Sequence, residues 1–202
     1  MTDDLGAEGV AKAAARAAHA VRMLREAAAA HERMAADVAP VVEAARVISA
    51  ALQGGGKVLA FGNGGSAADA QHFVAELVGR YEQERRPWPA IALSTDTSIL
   101  TAVGNDYGFD RVFARQIEAH GKPGDVALGI TTSGQSPNVL RALETANARG
   151  LVTIALTGRG GQAGTIAKVH VPVAESRTSR VQEVHATLLH VICELVEMEL
   201  KD

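Results

Sequence analysis

His72 and Glu76 stand four residues apart in a stretch, residues 66–80, whose composition favours a helix. On a helix that spacing puts an imidazole and a carboxylate on one face, which suits two ligands of one divalent ion. Taken without context, the two residues are equally a solvated polar pair. Their position raises the chemical reading, because both lie within about three helical turns of Gly62-Asn63-Gly64-Gly65-Ser66. The glycines of that loop let the backbone turn sharply and approach a ligand. The free amides and positive dipole end of a helix opening at Ser66 attract an anion. A second loop, Thr131-Thr132-Ser133-Gly134-Gln135-Ser136-Pro137, sets four hydroxyls around a glycine, with Pro137 suited to the first turn of the next helix. Hydroxyls and helix-terminal amides hold a phosphate without Lys or Arg. The plainer alternative makes Ser136 an N-cap and leaves the other hydroxyls to turns.

Two other nucleotide readings fare worse. Gly62-x-Gly64-x-x-Ala67 fits the dinucleotide fingerprint, but the acidic partner expected about 20 residues on is missing, the first acidic residue after the next strand being Asp96. A Walker loop is excluded, since no Gly-Lys-Ser/Thr follows the glycines.

The elements that must position these loops follow from the apolar pattern. Residues 10–36 are rich in Ala, Arg, Glu and Met without Pro or Gly, and predict a long helix. Pro40 opens a second helix over 41–52, stopped by Gly54-Gly55-Gly56. These two form an N-terminal helical hairpin, residues 1–53, belonging to the same domain as residues 54–202. From Lys57 onward short apolar runs alternate with amphipathic stretches, the pattern of βα units in a parallel sheet. Strands are expected at 58–61, 90–93, 126–130, 152–156 and 169–173, with helices at 66–80, 97–102, 110–120, 137–149, 162–167 and 179–200. The fold class is α/β, one parallel five-stranded sheet flanked by helices, whose ligands bind beyond the carboxyl ends of the strands.

Composition bounds the partners. With 202 residues, 47% of them hydrophobic, the chain suits one well-buried domain, and a net charge of −3 gives no electrostatic case for nucleic acid or an anionic membrane. The acidic start, Met1-Thr2-Asp3-Asp4-Leu5-Gly6, lacks the basic and apolar regions of a signal peptide, and no apolar run approaches ~18 residues. A soluble, cytoplasmic protein is expected. The single cysteine, Cys193, excludes an internal disulfide and falls in an apolar helical pattern as a core thiol.

The two loops together resemble the phosphosugar loops of SIS domains. Asp96, the run Val103-Gly104-Asn105-Asp106-Tyr107-Gly108-Phe109 and the terminal Arg180-Val181-Gln182-Glu183-Val184-His185 are similar to the phosphoheptose isomerase branch of that family. The resemblance covers nearly all of the chain from about Gly54 and, more loosely, the N-terminal helices. It implies an aldose–ketose isomerase converting sedoheptulose 7-phosphate to D-glycero-D-manno-heptose 7-phosphate through an enediolate. It also implies a divalent metal of the zinc kind among His72, Glu76, Gln182 and His190. Glu76 and His190 would double as proton-transfer groups. These roles compete at Glu76, because a carboxylate bound to a metal is a weaker base. By the same resemblance Ser66, Thr131, Ser133 and Ser136 hold the phosphate, Asn63, Asp96 and Thr132 contact the sugar, and Gly64, Gly65 and Gln182 complete the substrate site. Glu183 and His185 have no family role and are expected to make structural contacts.

Two departures stand out. Ser179 occupies the place where many heptose isomerases carry an Asp that touches substrate; Thr131 replaces a more usual serine and keeps the hydroxyl. Ser at the first of these positions is shared with SIS proteins that bind the replication initiator DnaA without being enzymes, which makes that the alternative function. Retention of His72, Glu76, Gln182 and His190 together argues for the isomerase. Helix geometry adds an expectation about assembly. Gln182 and His190 are eight residues apart, about 12 Å along one straight helix, a span that two side chains bridge to one ion only when almost fully stretched. A homotetramer with active sites shared between subunits, as the resemblance implies, relieves that strain.

Overall fold

The computed structural model describes residues 5–200, with side chains from Glu8 to Leu200. The acidic start Met1–Asp4 therefore lies outside the described residues. Helix α1 (Leu5–Ala35) and helix α2 (Ala39–Gln53) precede the sheet. Pro40 sits in the first turn of α2, where its missing N–H costs nothing. The first strand, β1 (Val58–Gly62), leads into α3 (Gly65–Val78), and β2 (Ala90–Ala92) into α4 (Thr97–Tyr107). A single 3-10 turn, Phe109–Arg111, then opens α5 (Val112–His120). The remaining units are β3 (Val126–Thr131), α6 (Pro137–Ala148), β4 (Val152–Thr157), α7 (Gln162–Ile166), β5 (Val169–Pro172) and the terminal α8 (Thr178–Glu199).

The five strands form one all-parallel sheet in the order β2-β1-β3-β4-β5. Every residue of β1 and β3 is buried, as expected for strands covered by helices on both faces. Side chains alternate between two cores. Val58, Ala60, Leu128 and Ile130 face a layer with Ile48, Phe73, Val184 and Ile192. Leu59, Phe61 and Ala127 face the other, with Phe113, Ile117, Val139 and Leu143. Strand order reverses direction at β1, so the crevice between the ends of β1 and β3 is the topological switch point. Both glycine- and hydroxyl-rich loops leave the sheet there.

Helix α8 is the other organiser. Its buried residues Val181, Val184, Leu188, Ile192 and Val196 recur at helical spacing, and α1, α2 and α3 all pack against it. The two N-terminal helices thus meet on α8. Met23 O accepts from Arg180 Nη1, and His31 Nε2 pairs with Thr187 Oγ1 at 2.9 Å. The first half of α1 is exposed, Val10 at 68%. Cys193 is buried in α8, and burial, with the nearby Glu76 and Glu197 carboxylates, pushes its thiol up to about 12, leaving it inert at neutral pH. Among the described residues no helix is long and apolar enough to cross a membrane.

Candidate active site

The loops after β1 and β3 are tied to each other by a reciprocal amide pair: Asn63 Nδ2 donates to Asn138 Oδ1 at 2.9 Å, and Asn138 Nδ2 to Asn63 Oδ1 at 2.8 Å. Asn138 had no signal in the sequence beyond following Pro137. In the second loop Thr131 Oγ1 lies 3.0 Å from Ser136 Oγ and 3.4 Å from Ser133 Oγ, and Ser133 Oγ accepts from Gln135 N–H. Ser136 occupies the N-cap position of α6 but makes no side-chain capping bond. Its hydroxyl points instead into the cluster with Thr131. Gly134 has φ +66°, and a Cβ there would drive into the backbone of Gly160 and Gly161 in the loop after β4, so only glycine keeps the hydroxyls in this arrangement. Asn63, Gly64, Ser136 and Asn138, with Phe109 and Asp110, border an open groove of about 490 Å³. Ser66 is buried in the first turn of α3 beside it.

Asp96 sits one strand away. It caps α4, accepting from Ile99 N–H at 2.9 Å, so one carboxylate oxygen is committed to the helix end.

The titratable residues gather on the seam between α3 and α8. Gly65, Asp69, His72 and Glu76 recur at helical spacing along one stripe of α3. His190 Nε2 of α8 lies 3.3 Å from His72 Nε2, and His72 Nε2 lies 3.0 Å from Glu76 Oε1. The two imidazoles meet edge to face, 81° apart. One ligand atom from each of the three residues falls within 4.8 Å of the others. The two short separations, 3.0 and 3.3 Å, lie near the ~3.3 Å edge of a tetrahedron with bonds of about 2.05 Å, and two imidazoles with one carboxylate make the donor set of an open catalytic zinc site. The residues fit the metal. Asp69, one turn before His72, was not singled out by the sequence; burial raises its carboxyl above the ordinary range against the opposing pull of His72, and its Oδ2 is buried without a partner.

Gln182 lies elsewhere on the same seam. Its amide packs on Gly65, so tightly that a Cβ at Gly65 would overlap Nε2. The two helices run parallel, with Gln182 at the cradle end and His190 two turns further on. Within one chain the metal cluster therefore has three members, and Gln182 is not brought to it. Glu76 and His190 are joined by the chain's own fold, so no second subunit is needed to bring these two together. Glu183 and His185 make structural contacts. Glu183 accepts from Arg180 Nη2 at 2.6 Å, and His185 is fully buried with Nε2 3.1 Å from Thr157 O.

Residues 22–158 match the model of the SIS domain. The phosphoheptose isomerase of Aquifex aeolicus is 62% identical over 158 residues, covering 78% of this chain and 83% of the relative. The chain belongs to the phosphoheptose isomerase family of SIS-domain proteins. Solved structures within the family superpose closely. The phosphoheptose isomerase of Francisella tularensis matches with a TM-score of 0.86 at 37% identity, covering 91% of this chain and 98% of that one. The Neisseria gonorrhoeae enzyme gives 0.82 at 44% identity, over 89% and 97%.

Proposed function

We propose that the chain converts sedoheptulose 7-phosphate to D-glycero-D-manno-heptose 7-phosphate with the help of a divalent metal, zinc by its donor set. The observation that carries this reading is the convergence of His72, Glu76 and His190 beside a two-loop hydroxyl cradle. Ser66, Thr131, Ser133 and Ser136 bind the phosphate, with the amides of Gly64 and Gly65 at the opening of α3. Asn63, Asp96 and Thr132 contact the sugar. His72 lies about 9 Å along α3 from Ser66, so a sugar anchored by its phosphate extends its reacting end toward the cluster.

The isomerisation moves a proton between C1 and C2, which requires a base at carbon and stabilisation of the enediolate oxygen. His72, Glu76 and His190 would hold the ion, which when bound polarises the substrate carbonyl. Glu76 has two carboxylate oxygens, so one can face the ion while the other takes the proton from carbon. His190 serves the oxygen-side proton transfer only while its Nε2 is free of the ion, because a metal-bound imidazole nitrogen carries no proton. The assembly of this acid/base set favours the enzyme over a DnaA-binding SIS protein.

The working unit is a homotetramer. The exposed apolar side chains of α1, Leu24 at 71% among them, support an interface on that helix. A neighbouring copy then contributes its Gln182 as the fourth ligand, the position this chain's own Gln182 does not reach. Incubation with sedoheptulose 7-phosphate in heavy water, followed by NMR, tests the activity. The aldose heptose 7-phosphate with deuterium at C2 is the expected product. No turnover with added zinc, together with tight DnaA binding, would overturn the reading. For assembly, mixing Glu76→Gln with Gln182→Ala protein under subunit exchange should restore activity in hybrids.

A further inference from the structure

The segment after α3, residues 79–89, is strapped down by one buried ion pair. Glu197 on α8 accepts from three successive amides, Tyr81 at 3.1 Å, Glu82 at 3.2 Å and Gln83 at 3.1 Å, and from Arg85 Nε at 3.0 Å. Burial alone would raise this carboxyl. The bonds from Glu82, Gln83, Tyr81 and Arg85 outweigh it and hold Glu197 below the ordinary carboxylate range. Arg85 completes the strap with Nη1 donating to Leu77 O at 3.0 Å and Nη2 to Glu76 O at 2.7 Å. These are carbonyls of the last turn of α3, which have no partner within the helix. The guanidinium lies 3.5 Å over the ring of buried Trp88, whose backbone N–H donates to Leu77 O.

The strap delivers one side chain to the cluster. The Tyr81 ring stacks on His190 with centroids 5.6 Å apart and planes at 28°. His190 is therefore held between the face of Tyr81 and the edge of His72. So extensive a clamp, built from Glu197 and Arg85, is more than an eleven-residue connection needs to reach β2. It bonds to the backbone of Glu76 and to that of Tyr81 at once.

We propose that Tyr81 is a positioning residue for His190, and that the Glu197–Arg85 pair sets its place, so that the acid/base groups of both helices are held by one strap. The proposal rests on the isomerase reading above for its kinetic consequence. Its structural consequence does not. Stacking uses the ring and not the hydroxyl, so Tyr81→Phe should retain what Tyr81→Ala loses. In the full-length protein, Tyr81→Ala should lower kcat on sedoheptulose 7-phosphate by about tenfold, the lower end for residues that orient metal-site groups, with KM within about twofold. Tyr81→Phe should restore kcat. Carbon-13 relaxation of the His190 ring, measured without substrate, should show added ring mobility in Tyr81→Ala and in Glu197→Gln but not in Tyr81→Phe. Unchanged His190 mobility in Tyr81→Ala would overturn the proposal, as would an equal kcat loss in Tyr81→Phe. If wild-type protein shows no turnover at all, the isomerase reading fails while the relaxation result still decides the positioning role.

Discussion

The cradle and the titratable cluster are built in opposite ways. In the cradle each loop is a contiguous run, and the two are brought side by side by the pairing of β1 with β3. Its donors are hydroxyls and amides, Thr131 and Ser66 are buried, and neighbouring loops lock it through Asn63–Asn138 and Gly134. The cluster is three side chains on two helices, with His72 and His190 separated by 118 positions and joined only by the packing of α3 on α8. His72 keeps 52% of its side chain exposed. Binding a phosphate asks for a rigid, partly dry shell that acts alike in ground and transition states. Moving a proton asks for groups that can meet the substrate and change partners as it reacts.

That contrast makes graded predictions. The largest effect belongs to the cluster: Glu76→Gln and His190→Ala should each lower kcat by at least ~100-fold, the contribution typical of general acid/base groups, with circular dichroism unchanged. Near-normal turnover in either variant would move that residue out of the mechanism. In the cradle the loss should fall on binding instead. Ser133→Ala should raise KM by about tenfold and leave kcat nearly alone, as expected when one hydroxyl to a non-reacting phosphate is removed. A collapse of kcat at constant KM would put that hydroxyl at the reacting carbon and reverse the two regions.

Asn138→Ala should do less to each parameter but touch both folding and binding. It leaves Asn63 without its partner, at a cost of ~1–2 kcal/mol, which a urea midpoint reads directly, and it loosens the groove toward a KM a few-fold higher. If stability falls while KM stays fixed, the amide pair is scaffolding alone.

The smallest effect on turnover, and the clearest on stability, comes from His185 beneath both regions. Burial, opposed only by its bond to Thr157 O, depresses its pKa from 6.5 to about 4. Its folded-state value lies below the unfolded one, so the unfolded chain binds the extra proton. Its contribution is present in full above 6.5 and is lost as the pH falls toward and through about 4, on the order of 3 kcal/mol in all. In His185→Leu this part of the acid sensitivity should vanish, read as a flatter urea midpoint between pH 7 and 4.5. Equal slopes in variant and wild type would assign the acid loss to other groups, Glu197 first among them.

Much of this molecule was legible from local pattern. Runs such as Val126–Thr131 are short and apolar on both faces, the pattern of a covered parallel strand, and their ends coincide with the two loops to within a residue. Gly-rich and hydroxyl-rich turns are recognisable because their backbone requirements are local. The spacing of His72 and Glu76 likewise announced a shared helix face. The helix after β2 proved longer than its sequence pattern, Thr97–Tyr107 in place of 97–102, because Gly104 is tolerated inside it and Gly108, at φ +91°, is what ends it.

What pairs with what was decided in three dimensions. Periodicity says that Gln182 and His190 lie two turns apart on α8, but not which of them meets His72; the parallel packing of α3 on α8 assigns Gln182 to Gly65 and His190 to the cluster. Nor does any local preference connect Tyr81 to His190, or Asn63 to Asn138, because each contact depends on where separate elements are set by the sheet order and the two cores. A side chain's type and its turn of helix are written in the sequence near it. Its partner belongs to a different element, and only the burial of both against a common core brings the two within reach.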